Sequence, residues 1–206
     1  MNYKYADIAI KDMNRRNLVA FNRLKQLKFD ELNVLKAIAD VYEKAVRRAK
    51  RRYLSVARWS YIEALIALGV LEEDAKKRAN EEITEDYIVE MLDEYDPVTL
   101  YLFTPEIDRK KQRCVEALMS TPKKNESLDR SLKLLTLQLA HYADKAVIQS
   151  TLSAYREMGI KKVRWVTQGD EKVCEICEDL DGNVYRIDKV PPPQHYRCRC
   201  ELEPVK

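Results

Sequence analysis

"DELNVLKAIADVYEKAVRRAKRRYLSVARWSYIEALIALG", Asp30 to Gly69, decides the fold class. It holds no proline, and its one glycine is the last residue. Leu32, Leu35, Ala39, Tyr42, Val46, Ala49, Tyr53 and Val56 recur at spacings of 3-4-3-4-3-4-3. That is one apolar stripe on a helix, held for nearly four heptads. The spacing predicts a long helix from about Asp30, a good N-cap residue, to Leu68, with Gly69 as its C-cap.

The same texture extends outward. All seven prolines lie at or after Pro97, so residues 1–96 are expected to be helical, with a shorter acidic helix pair over about Glu72 to Tyr95. "DPVTLYLFTP" breaks the pattern, and its "VTLYLF" has the β-branched and aromatic content of a short strand. Thr104-Pro105 reads as an N-cap followed by proline at the first helical position, opening a helix to about Met119. After the loop "STPKKNE", a second stripe runs through Leu128, Leu132, Leu135, Leu139, Tyr142 and Ala146. It predicts a helix over about Ser127 to Met158 that stops at Gly159. Two long amphipathic helices must pair with each other or with another subunit to bury their stripes.

From Lys161 the pattern changes. "KKVRWVT" alternates as a strand with Val163 and Trp165 on one face, "LDGNVYRI" is a turn at Asp181-Gly182 leading into a second strand, and "RCRCELE" supplies a third. The expected architecture is mainly α: a helical body over 1–158 and a small Cys/His-rich β tail over 159–206. The tail is too small for a self-sufficient core.

Four of the five cysteines and one of the two histidines fall in that tail. Cys174 and Cys177 have the CxxC spacing that lets two thiolates face one centre. His195, Cys198 and Cys200 would complete a zinc knuckle, five candidates for four tetrahedral positions. A structural zinc would contribute ~10–16 kcal/mol of folding energy at neutral pH. Prolines 191–193 would stiffen the approach of His195. A CxxC redox pair and two disulfides are the competing readings of the same residues. Cys114 sits on a helix and is read as a buried small hydrophobe, and His141, next to the second stripe, as a packed or rim histidine.

The 206-residue chain is 46% apolar and 34% charged, which excludes a disordered protein. Its longest apolar run, "ALIALGVL" from Ala64 to Leu71, is far short of the ~20 residues a membrane span needs. The N-terminus lacks the apolar segment of a secretory signal, so synthesis in a cytoplasm is expected. From Gly159 to Lys206 nine Lys/Arg balance nine Asp/Glu, so the net charge of +3 arises before Gly159. The densest basic run is Lys44 to Arg58, and "RKKQR" at Arg109 to Arg113 is a second cluster. Arg47, Arg48, Lys50, Arg51 and Arg52 are either a solvated helix face or a contact for phosphates or an acidic partner. No P-loop, dinucleotide-binding glycine pattern, nucleophile elbow or HExxH motif is present, and no enzyme is expected.

"VRWVTQGDEKVCEICEDLDGNVYRI" followed by "PPPQHYRCRC" resembles the C-terminal signature of the phage Mu F-like minor head proteins, also called head-morphogenesis proteins. The matching elements are Trp165-Val166-Thr167, Asp170, Cys174, Cys177, Leu180-Asp181-Gly182, Pro192-Pro193, His195 and Cys198-Arg199-Cys200. The upstream helical stretches are similar to the same proteins. The resemblance implies a structural component of the capsid interior near the portal, made in the host cytoplasm. It implies the portal and major capsid proteins as partners, several copies per portal, and packaged double-stranded DNA as a further contact for the basic helix. Some members carry toxin or enzyme domains after the signature, and none is expected here. The alternatives are a cellular nucleic-acid-binding zinc-ribbon protein and a thiol oxidoreductase.

Overall fold

The computed structural model describes residues 3–27, 31–120, 122–169, 171, 173–195 and 198–205. The expected N-cap Asp30 and the signature residue Asp170 lie outside them. Six helices come first: α1 (Lys4–Lys25), α2 (Glu31–Ala67), α3 (Glu72–Glu82), α4 (Glu85–Asp93), α5 (Phe103–Ser120) and α6 (Lys124–Glu157). Then follow β1 (Lys162–Val166), a short α7 (Glu175–Leu180), β2 (Val184–Arg186) and β3 (Glu201–Val205). The mainly α class with a small β tail is what the sequence predicts.

The two long helices pair within the chain. α2 spans 37 residues and α6 spans 34, about 50–55 Å each. They share the largest helix interface, and α1 packs against both. Glycine ends each of them as expected. Gly69 (φ +92) donates to Ile66 O and Gly159 (φ +75) to Arg156 O, while the next amides, Val70 and Ile160, reach back to Leu65 O and Tyr155 O. These are left-handed terminations that spare the last carbonyls from desolvation.

Tyrosines dominate the seam because each can bury a ring and still satisfy its hydroxyl. The Tyr53 hydroxyl donates to Leu139 O across the α2–α6 contact at 2.9 Å. Phe103, from the start of α5, lies edge-on to both Tyr53 and Tyr142. His141 is buried, with Nε2 2.6 Å from Asp96 Oδ2. Burial pushes the Asp96 carboxyl up, but its hydrogen bond to His141, the histidine charge and the Val98 and Thr99 amides hold it below the usual value. Cys114 is buried and its thiol is raised by that burial, consistent with packing.

Four expectations are corrected. At the start of α2, Leu32, Leu35 and Ala39 face solvent, and Val34, Ile38 and Val41 are buried instead. A strict seven-residue stripe drifts ~20° per heptad around a straight α-helix, so a stripe anchored at Tyr53 leaves the core face when extended backward. "VTLYLF" is not a strand. Asp96 accepts the Val98 and Thr99 amides at 2.9 and 3.1 Å and closes a turn bridged to Tyr101, so local carboxylate bonding overrides β propensity. α5 then starts at Phe103, placing Pro105 in its first turn, where no amide is missed. α6 begins at Lys124, three residues before the expected Ser127.

Candidate metal centre

The tail is an antiparallel sheet in the order β2-β1-β3. β1 is its centre, with Val163 and Trp165 fully buried on one face and Leu202 opposite Trp165 in β3. Two tyrosine hydroxyls tie it to the helices. Tyr155 of α6 donates to Leu202 O at 3.1 Å, and Tyr3, just before α1, donates to Cys200 O at 2.7 Å.

The residues between β1 and β2 aim the cysteines. Cys174 caps α7 and accepts the Glu178 amide through its carbonyl. Cys177 lies three residues on, so both side chains share one face of the helical turn. The CxxC unit is thus a helix start. α7 is clipped to β1 at its other end. The Gly182 amide donates to Trp165 O at 2.8 Å, the Trp165 amide to Asn183 O at 2.9 Å, and Asp181 Oδ1 accepts the Thr167 amide at 2.7 Å. Gly182 has φ +74, a conformation glycine reaches without strain. Cys198 and Cys200 precede β3, both buried, with His195 half-buried beside them.

All five predicted donors converge. The ligand atoms of Cys174, Cys177 and His195 lie within 4.8 Å of one another, as do those of Cys177, Cys198 and Cys200. Cys177 belongs to both trios. Its Sγ is 3.8 Å from Cys198 Sγ and 3.4 Å from His195 Nε2. Tetrahedral zinc with bonds of ~2.3 Å to sulfur and ~2.0 Å to nitrogen gives S···S edges of about 3.8 Å and S···N edges of about 3.5 Å. The donor set fits a soft, tetrahedral divalent ion.

The electrostatics agree with that fit. The five cysteines are free thiols. A hydrogen bond from Cys200, opposed by burial, draws the Cys198 thiol down to about 5, with help from the Cys200 and Gln194 amides and the charge of His195. Burial and the Cys198 charge push Cys177 up to about 12, and Cys200 is raised by its bond to Cys198 and by burial. One thiolate forms readily and its neighbours resist ionising unless a cation joins them. Cys177 is 1% exposed, unlike the accessible low-pKa thiol of a redox CxxC.

The basic run is divided. Arg52 donates to Asp12 at 2.7 and 3.1 Å, and Arg48 donates to Asn17 at 3.0 Å, so both tie α2 to α1. Although burial raises the Asp12 carboxyl, Arg16 and Arg52 hold it below its usual value. Arg58 donates to Ile83 O at 2.9 Å. Arg47, Lys50 and Arg51 line an open groove between α2 and α4 that also holds Glu43 and Glu85. Sequence reasoning missed Tyr3 and Tyr155 as tail anchors; neither has a local signal, since their partners lie 197 and 47 residues away.

Among the described residues, no helix is long and apolar enough to cross a membrane. No curated protein and no solved structure matches the chain. The family model described as Phage Mu protein F like protein matches residues 109–203, which include α6 and every donor of the cluster. Over that span, the chain is similar to the phage Mu F-like head proteins that its sequence resembles.

Proposed function

We propose that the chain is a non-enzymatic minor head protein that acts in head morphogenesis inside the capsid near the portal. The family match over 109–203 carries this reading. The signature residues serve architecture: Trp165 fills the tail core, Thr167, Asp181 and Gly182 clip α7 to β1, and the Cys/His set gathers at one point. In this reading residues 1–158 are the docking body, facing the portal and major capsid proteins in several copies per portal. Residues 159–206 are a rigid knuckle held by one zinc on four of Cys174, Cys177, His195, Cys198 and Cys200. The metal would supply cohesion and would leave the chain's own residues no catalytic step to perform.

Packaged double-stranded DNA is the further contact proposed for the basic helix. With Arg48 and Arg52 committed to α1, that contact falls to Arg47, Lys50 and Arg51. The test is quantitative mass spectrometry of purified heads with and without external protease. Peptides of this chain are expected in intact heads, protected until the capsid is opened. Heads that lack the chain, or that lose it to protease while closed, contradict the proposal.

A further inference from the structure

The basic cluster at Arg109 to Arg113 acquires a purpose in the fold. α5 turns its members in different directions. Arg109 pairs with Glu106 and lies over the Tyr101 ring, Lys110 pairs with Glu106 at 2.6 Å, and Lys111 pairs with Asp108 at 2.8 Å. Arg113 points elsewhere. It lines a cleft of about 270 Å³ between α5 and α6 with Lys110, Arg130, Ser127, Ser131 and Tyr42. Among the described residues, no carboxylate lines this cleft, and neither Arg113 nor Arg130 forms an ion pair.

Arg113 of α5 stands across a small cleft from Arg130, Ser127 and Ser131 of α6, a set of donor types suited to the oxygens of a tetrahedral oxyanion. Guanidiniums bind such groups in a planar fork, and hydroxyls add donors between them. Ser131 is buried and Ser127 half-buried, so the hydroxyls are held on helix α6 while the two arginines reach in from the rim. The surrounding positive charge raises the local concentration of any anion. A carboxylate in the cleft would cancel this field; the Glu106 carboxylate that holds Lys110 is shared with Arg109.

We infer that the α5–α6 cleft binds a phosphate group through Arg113, Arg130, Ser127 and Ser131. The phosphate is carried either by a small phosphorylated compound or by a nucleic-acid backbone, whose shared chemistry is the tetrahedral oxyanion. The site is separate from the Cys/His cluster and from the α2–α4 groove, and it does not rest on the head-protein reading.

The test uses the full chain and two probes, inorganic phosphate and a short DNA duplex. Calorimetry should show inorganic phosphate binding with a dissociation constant on the order of 1 mM at low salt. Arg113→Gln with Arg130→Gln should weaken it at least tenfold, and Ser127→Ala with Ser131→Ala severalfold. Lys76→Gln, on the exposed face of α3, should leave it unchanged, and far-ultraviolet circular dichroism confirms that each variant is folded. If the backbone is the source, the arginine pair variant also lowers the salt slope of duplex binding by about 2. If only small phosphates enter, duplex binding ignores that variant while phosphate binding does not. An arginine pair variant that binds both probes as the parent does, or a parent that binds neither, overturns the inference.

Discussion

Cys177→Ser is the sharpest perturbation of the tail. Serine nearly keeps the volume but replaces a soft thiolate with a hydroxyl that zinc holds poorly. Whichever trio completes the donor set, Cys177 is in it. A structural zinc contributes ~10–16 kcal/mol, so one of four ligands represents about 2.5–4 kcal/mol, or roughly 10²–10³-fold in metal affinity. The alternative source of cohesion is smaller. Val163, Trp165 and Leu202 are the large apolar side chains the tail buries fully, at about 1.5–3 kcal/mol each. Chelator competition should therefore show the drop in affinity. Hydrogen exchange should show protection collapsing in β1 and β3 while α2 and α6 keep theirs. Cys200→Ser, a member of one trio only, should weaken binding less. A Cys177→Ser protein with parental metal affinity, or with β1 and β3 still protected, would refute the reasoning.

Other outcomes follow from the same structure. Trp165→Ala should destabilise the tail by about 3–5 kcal/mol, read as faster exchange of the β1 amides, because the ring is fully buried in a core too small to collapse around the cavity. The Asp96 carboxyl is depressed in the fold, so its stabilisation is present above the ordinary carboxylate range and disappears as pH falls through its lowered value. Urea midpoints measured from pH 6 downward should fall more steeply for the parent than for Asp96→Asn; parallel curves would show that the pair contributes nothing. Charge reversal at Arg47 and Arg51 should lower the salt slope of DNA binding by about 0.9 for each phosphate no longer neutralised, whereas an unchanged slope would leave these residues as a solvated face.

The long helices were legible because nothing in Asp30 to Leu68 or Ser127 to Met158 competes with helix, and glycine marks both ends. The phase of the first stripe was not, since Leu32 and Val34 are equally apolar and only packing against α1 and α6 chooses between them. Residues 96–101 misled for a related reason: the Asp96 carboxylate makes the turn, an interaction that residue propensity does not register. The gathering of the five Cys/His side chains could be read from spacing, since four cysteines and a histidine fall within 27 residues. Their support could not. Tyr3 reaches Cys200 only because α1 lies along α6, and Arg52 leaves the basic face only because α1 brings Asp12 beside it.

The central structural claim is that a bound metal, more than the small core of Val163, Trp165 and Leu202, holds the tail together. Elemental analysis of the chain purified under reducing conditions tests it directly, paired with hydrogen exchange before and after chelation. Close to one zinc per chain is expected, with a tail whose β1 and β3 amides become unprotected when the metal is stripped. A metal-free chain whose tail is fully protected would contradict it.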